Sequence, residues 1–360
     1  MRARQRRRAA STLLAGAMAL GLVGASAPAA VGTARADVVD VAGVDVPVLA
    51  TFAVSYGGGA GDRTVGGVVH GVRRVEGATV LYLSLGLPAD DSRTAVASGL
   101  FDSRQGYASG AISDITLVDR PGLTAYRPLM GEEAYSTLER DVSLEPDELA
   151  VVWVAFPELP PDVEQVDVLI GKTLTPVPAI AVEDGALTPT VDDPAPLVGE
   201  GWPEVAQQAS LAQVDPQRSI RPMTAHREST DDTTQLAETS EQVDATLAAD
   251  VLFDKSSAAL SPAAQQALAT LAADIAARGQ GEVVVVGHTD SDGSDQSNQL
   301  LSEQRAAGVV AALQPLAGGA VTFAAQGRGE SEPLVSNSSP ENMQLNRRVT
   351  VTYQVKDGGR

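Results

Sequence analysis

The sequence contains no cysteine. This absence excludes disulfides, thiolate zinc sites, thiol nucleophiles and the acylated cysteine of a lipoprotein. Histidine is nearly as scarce, since only His70, His226 and His288 occur, and none has a second histidine at a spacing typical of a metal site. We therefore expect no metal ion and no cofactor.

Basic residues are also few compared with acidic residues. The chain has 26 Lys and Arg against 46 Asp and Glu, a formal charge of −20. Six of the arginines lie within residues 1–36, where no acidic residue occurs, so the remainder carries 20 basic against 46 acidic residues, or −26. Such a chain repels phosphate backbones and anionic lipids. We therefore expect neither nucleic acid nor an anionic membrane surface as a partner.

The first 36 of the 360 residues have the pattern of a secretory signal peptide. Five arginines lie within residues 2–8, an apolar stretch follows at 13–23, and a small-x-small sequence ends at Ala36. The apolar stretch is about half the length of a membrane-spanning helix. We predict cleavage after Ala36 rather than after Ala27, by either the general or the twin-arginine export route. The mature protein is then secreted, with no transmembrane segment.

Residues 37–194 have the pattern of an all-β domain. Apolar residues alternate at 81–85 and at 166–170, and residues 151–156 form a continuous apolar run of the length of a buried strand. Turn residues separate these runs at intervals that fit short antiparallel strands. The pattern predicts an immunoglobulin-like sandwich. It contains no recognisable catalytic arrangement, and Trp153 is interpreted as a core residue rather than a carbohydrate platform.

The remainder divides into a polar segment and a second domain. Hydrophobic periodicity disappears over residues 195–242, which we interpret as a flexible linker. Strands and helices then alternate over residues 243–360, which predicts an α/β (α+β) domain of order β-α-β-α-β-β. The predicted strands cover residues 247–253, 283–287, 321–325 and 348–353, and the predicted helices cover residues 262–278 and 295–313.

Candidate binding residues lie where the second predicted strand of this domain ends and along the helix that follows. Asp290 comes directly after the strand, where loops commonly hold ligands above a sheet. Asn298, Leu301 and Arg305 are spaced i, i+3 and i+7, so they share one helix face within about 60°. This arrangement suits a zwitterion, whose carboxylate binds Arg305 while its ammonium meets Asp290.

Two catalytic interpretations of the same segment are weaker. His288 lacks a ligand partner for a metal. A hydrolase that uses a serine with His288 and Asp290 is also not expected, because residues two apart in an extended segment do not face each other. We therefore expect a binding module and no enzyme.

Four motifs occur in this part of the chain in a fixed order. They are Gly-His-Thr-Asp at residues 287–290, Gly-Ser-Asp-x-x-Asn-Gln-x-Leu-Ser-Glu-x-Arg-Ala at 293–306, Gly-x-Gly-Glu-Ser-x-Pro at 327–333, and Asn-Arg-Arg-Val at 346–349. Together they resemble the OmpA-like C-terminal domain over about residues 243–357. In that family the domain binds peptidoglycan non-covalently, holding the diaminopimelate of the stem peptide between an Asp and an Arg 15 positions apart. Asp290 and Arg305 have this separation.

The resemblance implies further site residues. Thr289, Asn298 and Leu301 correspond to pocket residues, and Asp254 to a contact at the rim. Asn346 and Arg347 match the last motif, where support of the fold explains the residues at least as well as ligand contact does.

These observations give an expected function and two alternatives. The expected protein is secreted and associated with the cell wall, binds the diaminopimelate-type stem peptide, and displays a β-sandwich whose own partner is unknown. The stem peptide could instead carry lysine or ornithine at its third position. The alternatives are a wall-remodelling enzyme and an adhesive protein, each targeted to the wall by the OmpA-like domain.

Overall fold

The computed structural model describes residues 38–41, 44–56, 63–88, 91, 95–96, 100–101, 107–146, 149–185, 187, 211, 214–229, 234–254 and 257–356. The predicted signal segment 1–36 lies outside these ranges. The chain divides into two compact units, one of Met1–Arg120 with Thr124–Arg221 and one of Pro121–Leu123 with Pro222–Arg360. Among the described residues, no helix has both the length and the hydropathy needed to cross a membrane.

The regular elements in the described part of the first unit are mainly strands. They are β1 (Val38–Val41), β2 (Val44–Pro47), β3 (Ala50–Tyr56), β4 (Arg63–Val75), β5 (Ala78–Gly86), β6 (Ala95–Val96), β7 (Ile115–Asp119), β8 (Thr124–Tyr126), β9 (Ser143–Leu144), β10 (Leu149–Phe156), β11 (Gln165–Ile170), β12 (Thr175–Asp184) and β13 (Ile220–Pro222), with 3-10 turns at Glu139–Asp141 and Pro216–Ser219. The all-β prediction for this part of the chain is confirmed.

One large sheet organises this unit, in the order β10-β5-β4-β12-β11-β7-β8-β13, and β3 pairs with β4 beside it. β12 joins the two halves of the sheet, because it is antiparallel to β11 over most of its length and its last three residues run parallel to β4. Leu83 and Val152 from one half and Leu117 and Val168 from the other belong to a single buried cluster. The sheet therefore closes over its own core, which is compatible with a sandwich; the immunoglobulin-like arrangement stays a prediction.

The second unit alternates strands and helices around one sheet. Its elements are β14 (Ala225–Glu228), β15 (Thr234–Glu238), β16 (Gln242–Ala248), α1 (Ala249–Leu252), α2 (Pro262–Arg278), β17 (Gly279–Gly287), α3 (Asp295–Leu313), β18 (Val321–Gly327), α4 (Pro340–Asn346) and β19 (Arg348–Val355). The sheet order is β14-β15-β16-β19-β17-β18, with β17 and β18 parallel. Both long helices pack on this sheet, since Leu268 and Val309 share a buried cluster with Val285 and Val351. The predicted α/β (α+β) class is confirmed.

Local signals start both long helices where the sequence predicts. Ser261 caps α2 by accepting a hydrogen bond from the Ala264 N–H at 3.1 Å, and Pro262 occupies the first helical turn without needing a donor. Ser294 and Ser297 form a reciprocal capping box at the start of α3. These caps fix where each helix leaves the preceding loop.

The structure corrects the boundary between the predicted linker and the second domain. Residues 222–242 belong to the second unit, and β14 and β15 form a hairpin that extends its sheet beside β16. The earlier part of the predicted linker, residues 195–210, lies outside the described residues. The hairpin was missed because β14 is polar and largely exposed and β15 has a single large apolar residue, Leu236, so neither strand shows the alternation that the prediction relied on.

A second correction concerns the strand predicted over residues 247–253. β16 ends at Ala248, and the chain then turns through the short helix α1. The apolar residues Leu252 and Phe253 are buried in either conformation, so their hydrophobicity does not distinguish a strand from a helical turn. The turn moves Asp250 to the site described next.

Candidate functional site

The loop after β17 and the helix α3 are held together by a close backbone approach. A Cβ atom added to Gly287 would lie 2.3 Å from the carbonyl oxygen of Ser302, so only glycine fits at this position. β17 therefore ends in direct contact with α3. This contact brings the loop that carries Asp290 beside the helix face that carries Arg305.

A cavity of about 430 Å³ lies between these elements. Its lining residues are Asp250, Phe253, Thr289, Asp290, Asp292, Asn298, Leu301, Arg305 and Arg347. Six of the eight residues proposed from the sequence are therefore brought together. The cavity has the size of a small-ligand site and combines both signs of charge with apolar surface.

Arg305 is a buried cation without a carboxylate partner among the described residues. Its side chain is 4% exposed, Nε donates to the Ser257 carbonyl at 3.0 Å, and the guanidinium lies 5.2 Å from the centre of the Phe253 ring. Burial lowers the pKa of Arg305, and the charge of Arg347 acts in the same direction. Nη1 and Nη2 make no hydrogen bond to any described residue, so they are available to a ligand carboxylate.

Asp290 forms the acidic part of the cavity. It is 6% exposed, its Oδ2 accepts a hydrogen bond from Arg347 Nη1 at 2.7 Å, and its Oδ1 accepts one from the Asp292 backbone N–H at 3.1 Å. Each oxygen keeps room for a second donor, since a carboxylate accepts about four hydrogen bonds. An ammonium group is a suitable donor for that remaining capacity.

Arg347 joins Asp290 to a residue that the sequence analysis did not identify. Its Nε and Nη2 donate to the two carboxylate oxygens of Asp250 at 2.9 and 2.6 Å. These hydrogen bonds from Arg347 are the main reason that the pKa of Asp250 lies below its usual value. Asp250 was missed because the prediction placed it inside a strand. The separate match of Arg347 to the last motif offered no partner for it.

Two smaller side chains complete the wall beside Asp290. Asn298 donates through Nδ2 to the Asp290 carbonyl at 3.2 Å and to Glu330 Oε2 at 2.6 Å, which fixes its amide. The Thr289 N–H donates to the Gly329 carbonyl at 2.9 Å, while its buried Oγ1 has no hydrogen-bond partner among the described residues. The motif at residues 327–333 therefore supports the binding loop from behind.

The structure does not place two predicted site residues in the cavity wall. Asp254 is exposed and does not line the cavity. Asn346 is fully buried, and its amide holds the preceding loop by accepting from Leu334 N–H at 2.8 Å and donating to the Val335 carbonyl at 2.8 Å. Asn346 thus supports the fold, which was one of the two roles considered for it.

His288 lies beside the cavity loop but does not line the cavity. Burial lowers its pKa to about 4, and the charges of Arg348 and Arg328 add to the effect. Its ring is therefore neutral at pH 7. Within the described part of the chain, no group of three or more histidine, aspartate or glutamate residues could hold a metal ion.

The C-terminal part of the chain is similar to several known proteins. The model of the OmpA family matches residues 252–347. A probable lipoprotein, YiaD of Escherichia coli K12, is 40% identical over 102 residues, or 28% of this chain and 47% of that protein. Outer membrane protein A of Shimwellia blattae is 44% identical over 95 residues, or 26% of this chain and 39% of that protein. The chain thus spans less than half the length of these relatives.

Solved structures with similarity to the same part include two proteins of the bacterial envelope. The cell wall anchor of the T6SS from Pseudomonas aeruginosa is 30% identical, with a TM-score of 0.32, over 34% of this chain and 89% of that one. The peptidoglycan-associated lipoprotein of Burkholderia pseudomallei is 27% identical, with a TM-score of 0.25, over 29% and 88%.

The sequence match and the site geometry agree on the same segment. The family match begins at Leu252 in α1 and ends at Arg347, and it contains eight of the nine residues that line the cavity, all except Asp250. The resemblance inferred from the four motifs is confirmed. Residues 252–347 form a domain of the OmpA family.

Proposed function

We propose that this protein is secreted, associates with the cell wall, and binds peptidoglycan non-covalently through its OmpA family domain. The ligand is the diaminopimelate of the stem peptide. The observation that carries this proposal is the Arg305 guanidinium, which is buried in a cavity wall and has two terminal nitrogens without a partner among the described residues. A desolvated cation of this kind is completed by a carboxylate.

The rest of the cavity matches the other parts of such a ligand. Diaminopimelate carries an ammonium beside the carboxylate on its free end, and Asp290 can accept from that ammonium. Leu301 offers apolar surface to the methylene stem. Charge-assisted hydrogen bonds contribute about 1.5 to 3 kcal/mol each, so two or three give a selective but reversible contact.

Retention on the wall then depends on the density of the ligand. One pocket binds one stem peptide weakly, but the wall repeats that peptide at close spacing. A released protein therefore meets a new ligand at high effective concentration. The first unit, which we propose is immunoglobulin-like, is displayed from this attachment.

Sedimentation with purified sacculi tests the proposal. The full-length chain should sediment with sacculi, and the apparent affinity of Arg305→Ala should fall about tenfold or more, since two charge-assisted hydrogen bonds are lost. Arg305→Lys should recover only part of the binding, because an ammonium cannot donate the same parallel pair.

A surface arginine provides the matched control. Arg221 is exposed, and its Nη1 donates a hydrogen bond to the carbonyl of its own neighbour, Ile220. Arg221→Ala should sediment like the wild type. Undiminished sedimentation of Arg305→Ala would contradict the proposed function. Release of soluble muropeptides by the wild type would contradict a role in binding alone and support a wall-remodelling enzyme.

A further inference from the structure

Arg347 lies between two carboxylates and donates a different number of hydrogen bonds to each. Two of its donors pair with both oxygens of Asp250, while a single donor reaches Asp290. Asp250, Arg347 and Asp290 together carry a net charge of −1. Because the guanidinium charge is shared in this way, Asp290 keeps part of its negative charge even though it receives a short hydrogen bond.

We propose that Asp250 is a specificity-determining residue, whose charge leaves the group of Asp250, Arg347 and Asp290 with a net negative charge beside the cavity and thereby selects a ligand that carries an ammonium group. This inference rests on the proposed function. Asp250 acts through Arg347 and need not touch the ligand.

Loss of the Asp250 charge should have opposite effects on the two ends of the ligand. Without the charge of Asp250, Arg347 and Asp290 form a neutral pair, and an ammonium entering the cavity loses most of its attraction. The carboxylate end is different, since Arg305 holds it and a more positive cavity attracts it more strongly. The charge of Asp250 also acts directly on Arg305.

A purely structural role for Asp250 explains its contacts less well. Its side chain is 41% exposed and that of Arg347 is 28% exposed, so the ion pair is partly solvated. Pairs of this kind contribute about 0 to 1 kcal/mol to stability. The backbones are joined independently, because the Ala249 N–H donates to the Arg347 carbonyl at 2.9 Å. The fold should therefore tolerate the loss of the Asp250 charge.

The test compares two ligands that differ in their ammonium groups. Full-length wild type and Asp250→Asn are titrated with meso-diaminopimelate and with pimelate, the same dicarboxylate without amines, and binding is followed by amide NMR shifts. Affinity for diaminopimelate should fall about tenfold in Asp250→Asn, as expected for one lost charge-assisted contact. Affinity for pimelate should stay within about twofold or increase.

Two further variants control for charge and for folding. Asp250→Glu keeps the charge and should keep the preference for diaminopimelate. Asp295→Asn removes one exposed charge from the start of α3, outside the cavity wall, and should change neither affinity. Thermal unfolding of each variant verifies that it is folded.

Each result has a distinct meaning. A wild type that binds neither ligand would overturn the proposed function. A wild type that binds diaminopimelate, together with an Asp250→Asn variant that loses both ligands equally or keeps the original preference, would overturn the role of Asp250 while the proposed function stands.

Discussion

At the scale of single residues, Arg305 is a buried charge whose burial is only partly compensated within the described residues. Burying an unpaired charge costs several kcal/mol, and Arg305 recovers part of this through the Ser257 carbonyl and the Phe253 ring. Under the proposed function, a ligand carboxylate that enters the cavity relieves the remaining cost. We therefore expect the ligand-free domain to be more stable with an apolar residue at this position than with Arg305.

His288 gives this domain a measurable dependence on pH. Its pKa is about 4 in the folded state and 6.5 in an unfolded chain, so the unfolded state binds more protons between these values. Stability from the neutral ring is therefore complete above pH 6.5 and is lost as the pH falls towards 4. From pH 7 to pH 5 this residue should cost about 2 kcal/mol of unfolding free energy.

Substitution of His288 isolates this effect. His288→Gln should remove that part of the pH dependence, as measured by urea unfolding at pH 7 and pH 5 through amide NMR signals of β17. His70 is the matched control, because burial also lowers its pKa to about 4 but it lies in the first unit. His70→Gln should leave the pH dependence of the β17 signals unchanged. An equal pH dependence in wild type and His288→Gln would contradict the assignment.

At the scale of elements, the sequence predicted those helices of the second unit in which residues at helical spacing follow a capping residue at the N-terminus. Ser261 with Pro262 marks the start of α2, and Ser294 marks the start of α3, so both helices were located closely. Asp290 and Arg305 could be paired because Asp290 follows the end of β17 and Arg305 lies on the predicted inner face of α3. Asp250 and Arg347 could not be paired, because they are 97 residues apart and their contact depends on the turn at α1.

The hairpin of β14 and β15 is stabilised by a contact that local sequence does not reveal. Glu238, at the end of β15, is 6% exposed and pairs with both Arg227 and Arg278. Arg278 belongs to α2, 40 positions away. The short polar hairpin is therefore held by a buried carboxylate as well as by Leu236, which packs against the core of the second unit.

Removal of this carboxylate should destabilise the hairpin and its junction with α2. Glu238→Ala leaves Arg278 with Asp274 as its remaining carboxylate partner among the described residues and should cost about 1 to 3 kcal/mol, because a largely buried donor loses a charged acceptor. Hydrogen exchange of β14 and β15 amides should accelerate, and the unfolding free energy of the second unit should fall.

Glu228 is the control for this prediction. It lies on β14, is exposed, and accepts a hydrogen bond from Gln235 at 2.7 Å. Glu228→Ala should change stability by no more than about 0.5 kcal/mol. Equal effects of the two substitutions would show that Glu238 does not anchor the hairpin.

At the scale of the whole molecule, the two units have separate hydrophobic cores. The strands of the first unit follow from alternation, as in β5 and β11, and from the apolar run of β10. The order of those strands does not, because β12 joins two halves of the sheet through pairings with strands far away in sequence. Pairings of this kind depend on the fold as a whole rather than on any local pattern.

The charge of the whole chain predicts an unusual response to salt. At −20 the protein is repelled by the free carboxylates of peptidoglycan, and salt screens this repulsion. The buried contacts of Arg305 are screened much less. Sedimentation with sacculi should therefore stay constant or increase when NaCl is raised from about 10 to 150 mM. Release of the protein over this range would instead indicate attachment by surface charge.

The fixed position of the Arg305 side chain affects how the protein would move over the cell wall. Ser257 and Phe253 hold the side chain before any ligand arrives, so capture requires little ordering of the protein, which saves about 0.5 to 1.5 kcal/mol per side chain. Under the proposed function, only a few contacts must break for escape, and the next stem peptide is already nearby. A protein held in this way hops between neighbouring sites and spreads laterally over the wall without returning to the bulk solution.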